Sequence, residues 1–190
     1  MANGGIPAGA KLRNRLSALR SAFERGRAID LKRISNDSIN DAVLSNDRLL
    51  AELSIISYAL SKLLSKRHIV MHAKWGSARR SILSSLEKAV FSLERGQERQ
   101  FGTALQRAAD GVSSVDRSMG NYMQGALDKA RVKMASSAYA AGMSLGQAAE
   151  LTHADRKELQ SYVGFTKIHD EVPAGGGIKE RLRRLEELMG

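Results

Sequence analysis

The segment from Arg48 to Trp75 constrains the fold of this chain more than any other stretch. Apolar residues recur along it at spacings of three and four, which is the period of one helix face. They are Leu49, Leu50, Leu53, Ile56, Leu60, Leu63 and Leu64, and Ile55, Tyr58 and Ala59 widen the same face. A helix with so broad an apolar face is surrounded by other parts of the protein. We therefore predict a central core helix that Asn46 or Asp47 caps. The pattern leaves open whether this helix runs unbroken through residues 66–68, and Gly76 is the favoured stop.

The composition also favours helices over strands. Of the 190 residues, 43% are hydrophobic but only 5% are aromatic, and there are 2 prolines. Ala, Leu, Ser, Arg, Lys and Glu dominate, which suits helices. We predict an all-α fold with an N-terminal antiparallel helical bundle, a C-terminal helix-turn-helix unit and a tethered terminal helix. The sequence contains no Cys, which excludes disulfides, thiolate zinc sites and cysteine nucleophiles.

The N-terminal quarter is predicted to hold one basic helix followed by a loop. Residues 1–10 are mostly Gly, Ala and Pro, a composition that predicts disorder. The stretch from Lys11 to Arg33 is predicted to be an amphipathic helix. Its apolar face consists of Leu12, Leu16, Leu19 and Phe23. Residues 35–47 are rich in Asn, Asp and Ser, and this composition favours a loop.

Two further helices complete the predicted bundle. Ser77 is a suitable N-cap for a helix over residues 78–95, and Gly96 is expected to end it. A weaker amphipathic pattern follows over residues 97–115, where two glycines interrupt it. Helices joined by short polar links pack antiparallel, so residues 11–115 are predicted to form a basic up-and-down bundle.

The predicted first helix is the densest positive stretch of the chain. Between Lys11 and Arg33 there are eight Lys and Arg residues but only two acidic ones. One interpretation is a helix that follows nucleic-acid phosphates and raises affinity by counterion release. The candidate contacts are Lys11, Arg13, Arg15 and Arg20. A solvated basic face explains the same pattern, whereas the narrow apolar stripe argues against a helix lying on a membrane.

The charge of the whole chain indicates a polyanionic partner. A formal net charge of +10 favours DNA, RNA, a ribosomal surface or anionic lipid, without choosing among them. The sequence has no apolar run of about 18 residues and no hydrophobic core of a signal peptide. We therefore expect a cytoplasmic protein, associated with the nucleoid or the ribosome, that does not insert into a membrane.

A pair of capped helices is predicted between Gly142 and Gly164. Ser144 with Gln147 three residues later forms a capping-box pattern, which predicts a helix start. After a turn of about three residues, Asp155 with Glu158 repeats this pattern, and Gly164 is expected to end the second helix. Leu145, Ala148, Ala149, Leu151, Leu159, Tyr162 and Val163 are expected to face inward.

The outward face of this second helix carries the candidate DNA-reading residues. Arg156, Lys157, Gln160 and Ser161 are expected to be exposed. Side chains of these types contact phosphates and base edges. The two helices and the helix over 116–141 that precedes them are therefore predicted to form a helix-turn-helix domain over residues 116–172.

The segment Tyr139–Leu151, followed by a turn and a second helix, resembles an uncharacterised-protein family of small helix-turn-helix antitoxins. It is more loosely similar to the ends of uncharacterised archaeal helical proteins. The resemblance covers roughly residues 130–164. It implies DNA binding at an operator through the outward face of the second helix, and masking of a toxin partner. One departure is His153 at the turn position that is usually Gly, where a left-handed backbone is needed.

The C-terminal end is predicted to be a helix on a tether. Residues 173–177 are rich in Gly and read as a flexible linker. Residues 178–190 form an amphipathic pattern too short for a stable lone helix. Its apolar residues Ile178, Leu182, Leu185 and Leu188 are expected to dock on the same molecule, on a second copy or on a protein partner.

No catalytic, metal or cofactor site is predicted. His68 and His72 lie four residues apart, but two ligands do not make a metal site, and basic residues surround them. Phosphate loops, nucleophile elbows and paired carboxylates in an apolar setting are absent from the sequence. We expect a non-catalytic nucleic-acid-binding protein, preferably a DNA-binding regulator. The alternative is a ribosome-, RNA- or toxin-associated interaction factor in which the two-helix unit only packs.

Overall fold

The computed structural model describes residues 8–118 and 125–171. Over these two ranges the chain forms nine α-helices and contains no β-strand, so the predicted all-α class is confirmed. The helices are α1 Ala8–Glu24, α2 Ala28–Ser45, α3 Arg48–Leu64, α4 Arg67–Val70, α5 Trp75–Glu94, α6 Glu98–Ser118, α7 Ala126–Ala140, α8 Leu145–Thr152 and α9 Arg156–Glu171.

The predicted single helix from Lys11 to Arg33 is wrong, because the chain turns at Gly26. Gly26 has φ +68°, and its N–H donates to the carbonyl of Phe23 at 3.1 Å. The next N–H, of Arg27, donates to Ala22 at 2.9 Å. This pair of bonds is a Schellman motif, which ends a helix with Gly in the left-handed region.

The predicted loop over residues 35–47 is also wrong, since most of it belongs to α2. The buried face of α2 continues through this stretch as Leu31, Ile34, Ser35, Ser38, Ile39 and Ala42. The two serines are small enough for α3 to approach closely, while Asn36 and Asn40 are exposed. Asp47 caps α3 as predicted, because its Oδ1 accepts from Leu49 N at 2.8 Å and from Leu50 N at 3.2 Å.

The core helix α3 ends at Leu64, so the predicted stop at Gly76 is wrong. Ser65 Oγ donates to the carbonyl of Ser61 at 2.7 Å, a local bond of the kind that competes with helix continuation. The short helix α4 follows, and α5 begins at Trp75 rather than after Ser77. Trp75 is buried against Phe23, with ring centroids 6.3 Å apart and planes at 88°. Trp75 is therefore a core anchor at the start of α5.

Helices α5 and α6 form a hairpin whose turn is Gly96, with φ +67°. The weaker helix predicted over residues 97–115 is present as α6, which runs unbroken through both glycines to Ser118. Gly111 allows α5 to approach closely, since a Cβ there would lie 2.6 Å from Ile82 Cγ1. The predicted start of the next helix at Asp116 is wrong, because Asp116 belongs to α6 and α7 begins at Ala126.

Helix α7 packs on α2 and α3 and shares one continuous apolar core with them. Met134 lies at the centre of this contact. Its Sδ is 3.1 Å from Ser35 Oγ and 2.9 Å from Ser54 Oγ, and Ser54 Oγ also donates to the carbonyl of Ser35 at 2.8 Å. The division into domains at residue 115 stays a prediction.

Some terminal predictions fall outside the part of the chain that the structure describes. They are the linker over 173–177 and the docking helix over 178–190 with Ile178, Leu182, Leu185 and Leu188. The disordered segment predicted for residues 1–10 is wrong for Ala8, Gly9 and Ala10, which form the first turn of α1.

Candidate nucleic-acid interface

The start of α8 is fixed by a complete capping box. Ser144 Oγ accepts from Gln147 N at 3.2 Å, and Gln147 Oε1 accepts from Ser144 N at 3.0 Å. Two N–H groups that a helix start leaves unpaired are thereby satisfied. The sequence prediction at this helix start is confirmed.

His153 ends α8 in the left-handed conformation that a tight turn needs. Its backbone has φ 53° and ψ 33°, and its N–H donates to the carbonyl of Ala149. Ala154 N donates to the same carbonyl at 3.1 Å. The sequence left open whether His153 could take this conformation at a position usually held by Gly, and the structure shows that it does. The turn fixes how α9 leaves α8.

Asp155 caps α9 as predicted, because its Oδ1 accepts from Glu158 N at 2.8 Å. The predicted end of this helix at Gly164 is wrong, since α9 continues to Glu171. Gly164 is exposed, with open space around the position of a Cβ. Glycine weakens a helix by about 1 kcal/mol relative to Ala, and without a left-handed backbone it does not end one.

The inward faces of α8 and α9 pack on α7. The buried residues are Ala148, Ala149, Leu151, Leu159 and Val163. Leu145 packs against this core while partly buried. Lys133 of α7 places its Nζ 5.8 Å from the ring centroid of Tyr162, which is half-buried. The inward residues predicted from the sequence thus lie on the core side of the pair.

The predicted contact residues Arg156, Lys157, Gln160 and Ser161 are all exposed. They occupy the first two turns of α9, and neither cation takes part in the ion pairs found between described residues. Their side chains therefore meet the solvent as one polar and cationic surface, which we call the α9 surface.

The positive charge of the chain is unevenly distributed around the α9 surface. Residues 125–171 contain six Lys and Arg and six Asp and Glu, so this part is neutral. Residues 8–118 contain twenty Lys and Arg against eleven Asp and Glu, a net charge of +9. The excess charge that suggested a polyanionic partner lies on helices α1 to α6.

Two of the four N-terminal candidates are held by carboxylates of α2. Lys11 Nζ lies 3.0 Å from Asp41 Oδ1. The guanidinium of Arg15 spans Asp37, at 2.9 Å, and Asp41, at 3.1 Å. Partial burial alone would raise the pKa of the Asp41 carboxyl, but the hydrogen bonds and charges of Lys11 and Arg15 hold this pKa below its ordinary value.

The other two N-terminal candidates differ from each other. Arg20 Nη2 lies 3.4 Å from Glu24 Oε2 and 3.1 Å from Glu87 Oε1. Arg13 is exposed and takes part in no ion pair with a described acidic residue. The charges of Lys11, Arg15 and Arg20 are thus partly compensated within the protein. The four N-terminal candidates therefore do not form one patch of unpaired cations with the α9 surface.

Positive charge is also concentrated in two other places. The basic residues around His68 and His72 were expected from the sequence, whereas the cleft between α5 and α6 was not. Residues 53–86 contain six Lys and Arg but no Asp or Glu. A cleft of about 400 Å³ between α5 and α6 is lined by Lys88, Arg99 and Arg107 and by no acidic residue. The signal for the cleft is the spacing of Arg99, Thr103 and Arg107, which places three polar residues on one helix face.

Among the described residues, no group of three or more His, Asp or Glu side chains could hold a metal ion. His72 Nδ1 instead accepts from Lys74 N at 3.2 Å. No helix in the described ranges combines the length and apolar character needed to cross a bilayer.

Comparison with known proteins gave no match among protein-family models, curated proteins or solved structures.

Proposed function

We propose that this chain is a non-catalytic DNA-binding protein, a transcription regulator of the cytoplasm, that contacts duplex DNA through the α9 surface. The observation that carries the proposal is the exposure of Arg156, Lys157, Gln160 and Ser161 on a helix start fixed by Asp155 and His153. A recognition helix needs both features, an outward polar face and a rigid entry angle.

The chemistry of the α9 surface suits the major groove. Arg and Lys bind the O6 and N7 of guanine or a phosphate oxygen, and Gln pairs with the N6 and N7 of adenine. The N-terminal turns of α9 therefore supply one set of contacts for bases and another for the backbone.

Removing both cations of the α9 surface tests the proposal. Arg156→Ala with Lys157→Ala should weaken duplex binding and lower the slope of log affinity against log salt by up to about two, since each phosphate contact contributes about 0.9. Lys32→Ala with Arg80→Ala is the matched control, because it removes two exposed cations from α2 and α5. Fluorescence anisotropy on a labelled genomic duplex pool measures both. Equal effects of the two double variants would refute the proposal that the α9 surface binds DNA.

A second candidate function is that of an RNA- or ribosome-associated factor in which α8 and α9 only pack. The observation that favours it is the neutral charge of residues 125–171 beside the +9 of residues 8–118, because affinity for nucleic acid depends mainly on cations. Nucleic acid that copurifies with the full chain separates the two functions. Sensitivity of its absorbance to ribonuclease alone would favour the RNA factor, and sensitivity to deoxyribonuclease alone would favour the regulator.

A further inference from the structure

The hairpin of α5 and α6 carries a shallow basic groove in the half next to its turn. Its lining includes Lys88 and Ser92 from α5 and Arg99, Thr103 and Arg107 from α6. Arg99 and Arg107 lie eight residues apart, which is about 12 Å along a helix axis. Their separation spans more than one phosphate, so the groove suits a polymer better than a single small anion.

Within residues 8–118 and 125–171, no carboxylate forms an ion pair with the three cations of this groove. None of Lys88, Arg99 and Arg107 takes part in an ion pair between described residues, and all three are exposed. The nearest carboxylate before Lys88 in sequence, Glu87, is already paired with Arg20 at 3.1 Å. The groove therefore presents positive charge that an external anion can use.

An exposed aromatic ring lies on α5 between two residues that line the groove, Lys88 and Ser92. Phe91 lies one helical turn from Lys88 on α5 and has 51% of its surface exposed, although it is a large apolar side chain. The guanidinium carbon of Arg95 is 4.1 Å from the centroid of its ring. This contact forms a Phe–Arg pair one helical turn from Lys88, and both groups are ones on which bases stack.

We propose that the α5–α6 groove binds single-stranded nucleic acid, with phosphates on Lys88, Arg99 and Arg107 and an unpaired base on Phe91 and Arg95. A positive groove with an adjacent exposed aromatic is the general pattern for sequence-tolerant binding of single strands. A duplex fits this pattern less well, because its bases are already stacked. The inference goes beyond the proposed DNA-reading function and shares no residue with the α9 surface.

The test uses the full chain and a fluorescent oligo(dT) or oligo(U) strand. Lys88→Gln with Arg99→Gln and Arg107→Gln should weaken binding at least tenfold and lower the salt slope by about two, since a single strand gives about 0.7 per phosphate. Lys32→Gln with Lys66→Gln and Lys129→Gln is the matched control. These three cations are also exposed, and they lie on α2, beside α4 and on α7.

The aromatic step is tested separately by Phe91→Leu, which keeps an apolar side chain at an exposed position. It should weaken single-strand binding about five- to tenfold while leaving the salt slope unchanged, because stacking releases no counterions. Duplex binding should not change in this variant.

Two outcomes would overturn the inference. One is a groove triple variant that weakens single-strand binding no more than the control triple. The other is a pair of results. Phe91→Leu binds like the parent, and the triple variant of Lys88, Arg99 and Arg107 loses duplex and single-strand binding to the same extent, which would make the groove a general phosphate-binding patch. Failure of the proposal that the α9 surface binds duplex DNA would be detected separately, because the Arg156 and Lys157 variant is measured on duplex DNA.

Discussion

The guanidinium of Arg15 on α1 is joined to the carboxylate of Asp41 on α2, with Nη2 3.1 Å from Oδ2. Lys11 Nζ reaches the other oxygen of the same carboxylate at 3.0 Å. Only 15% of the Asp41 side chain is exposed, so this cluster is shielded more than an ordinary surface pair. It fixes the N-terminal half of α1 against the C-terminal half of α2.

We expect Asp41→Asn to lower the free energy of unfolding by about 1–2 kcal/mol, because two cations lose a charged partner in a partly buried setting. Asp37→Asn is the matched control. The Asp37 side chain is 42% exposed, and among the described residues it pairs with Arg15 alone, so its loss should cost about 0.5 kcal/mol or less. Urea unfolding of both variants measures the difference, and equal losses would contradict the central role of Asp41.

The same carboxylate should make stability depend on pH in the acid range. The pKa of Asp41 is lower in the folded protein than its ordinary value of 3.8. Its contribution is therefore fully present above that value and is lost as pH falls through the lower folded pKa. The stability difference between the parent and Asp41→Asn should be constant from about pH 5 to 7 and shrink below about pH 4. A difference that grows on acidification would have the wrong sign.

We expect His153→Gly to stabilise the protein by about 1 kcal/mol, because a residue with a Cβ is strained at φ 53°. His153→Ala should be no more stable than the parent. Asn46→Gly is the matched comparison, since Asn46 has φ 49° but Asn tolerates this region well, and its gain should be smaller. Thermal unfolding measures all three variants, and a destabilised His153→Gly would show that the imidazole makes a contact that matters more than the strain.

Two glycines of α6 should respond in opposite directions to the same substitution. Gly111→Ala would place a Cβ 2.6 Å from Ile82 Cγ1, so we expect a loss of about 1–3 kcal/mol from overpacking. Gly102 is exposed and has open space around it. Gly102→Ala should therefore gain about 0.5–1 kcal/mol from helix propensity. Urea unfolding of the pair separates packing from propensity, and a stable Gly111→Ala would mean that Ile82 moves aside.

Local features of the fold were predictable from the sequence, whereas helix boundaries that depend on distant contacts were not. The caps at Asp47, Ser144 and Asp155 depend on residues within three positions, so their hydrogen bonds follow from the local pattern. The stretch over 35–47 has a content of Asn, Asp and Ser that predicts a loop. Its helical form follows from burial against α3, which composition does not report.

The candidate site follows the same division, because its local features were predictable and its contacts between helices were not. Exposure of the α9 surface followed from the periodicity of its buried neighbours Leu159 and Val163. The partners of Lys11 and Arg15 were not predictable, because their carboxylates lie on a helix that the sequence suggested was a loop. The α5–α6 groove was missed for a related reason, since it exists only where two helices lie side by side.

The neutral charge of residues 125–171 beside the basic helices α1 to α6 has a consequence for how the molecule meets a polyanion. Unequal charge on the two parts makes the protein an electric dipole, and a polyanion exerts a torque that turns the basic helices toward it. The part that carries the α9 surface adds no net pull, because residues 125–171 contain equal numbers of basic and acidic residues. Any contact through α9 would thus form only after the basic helices had brought the molecule to the nucleic acid.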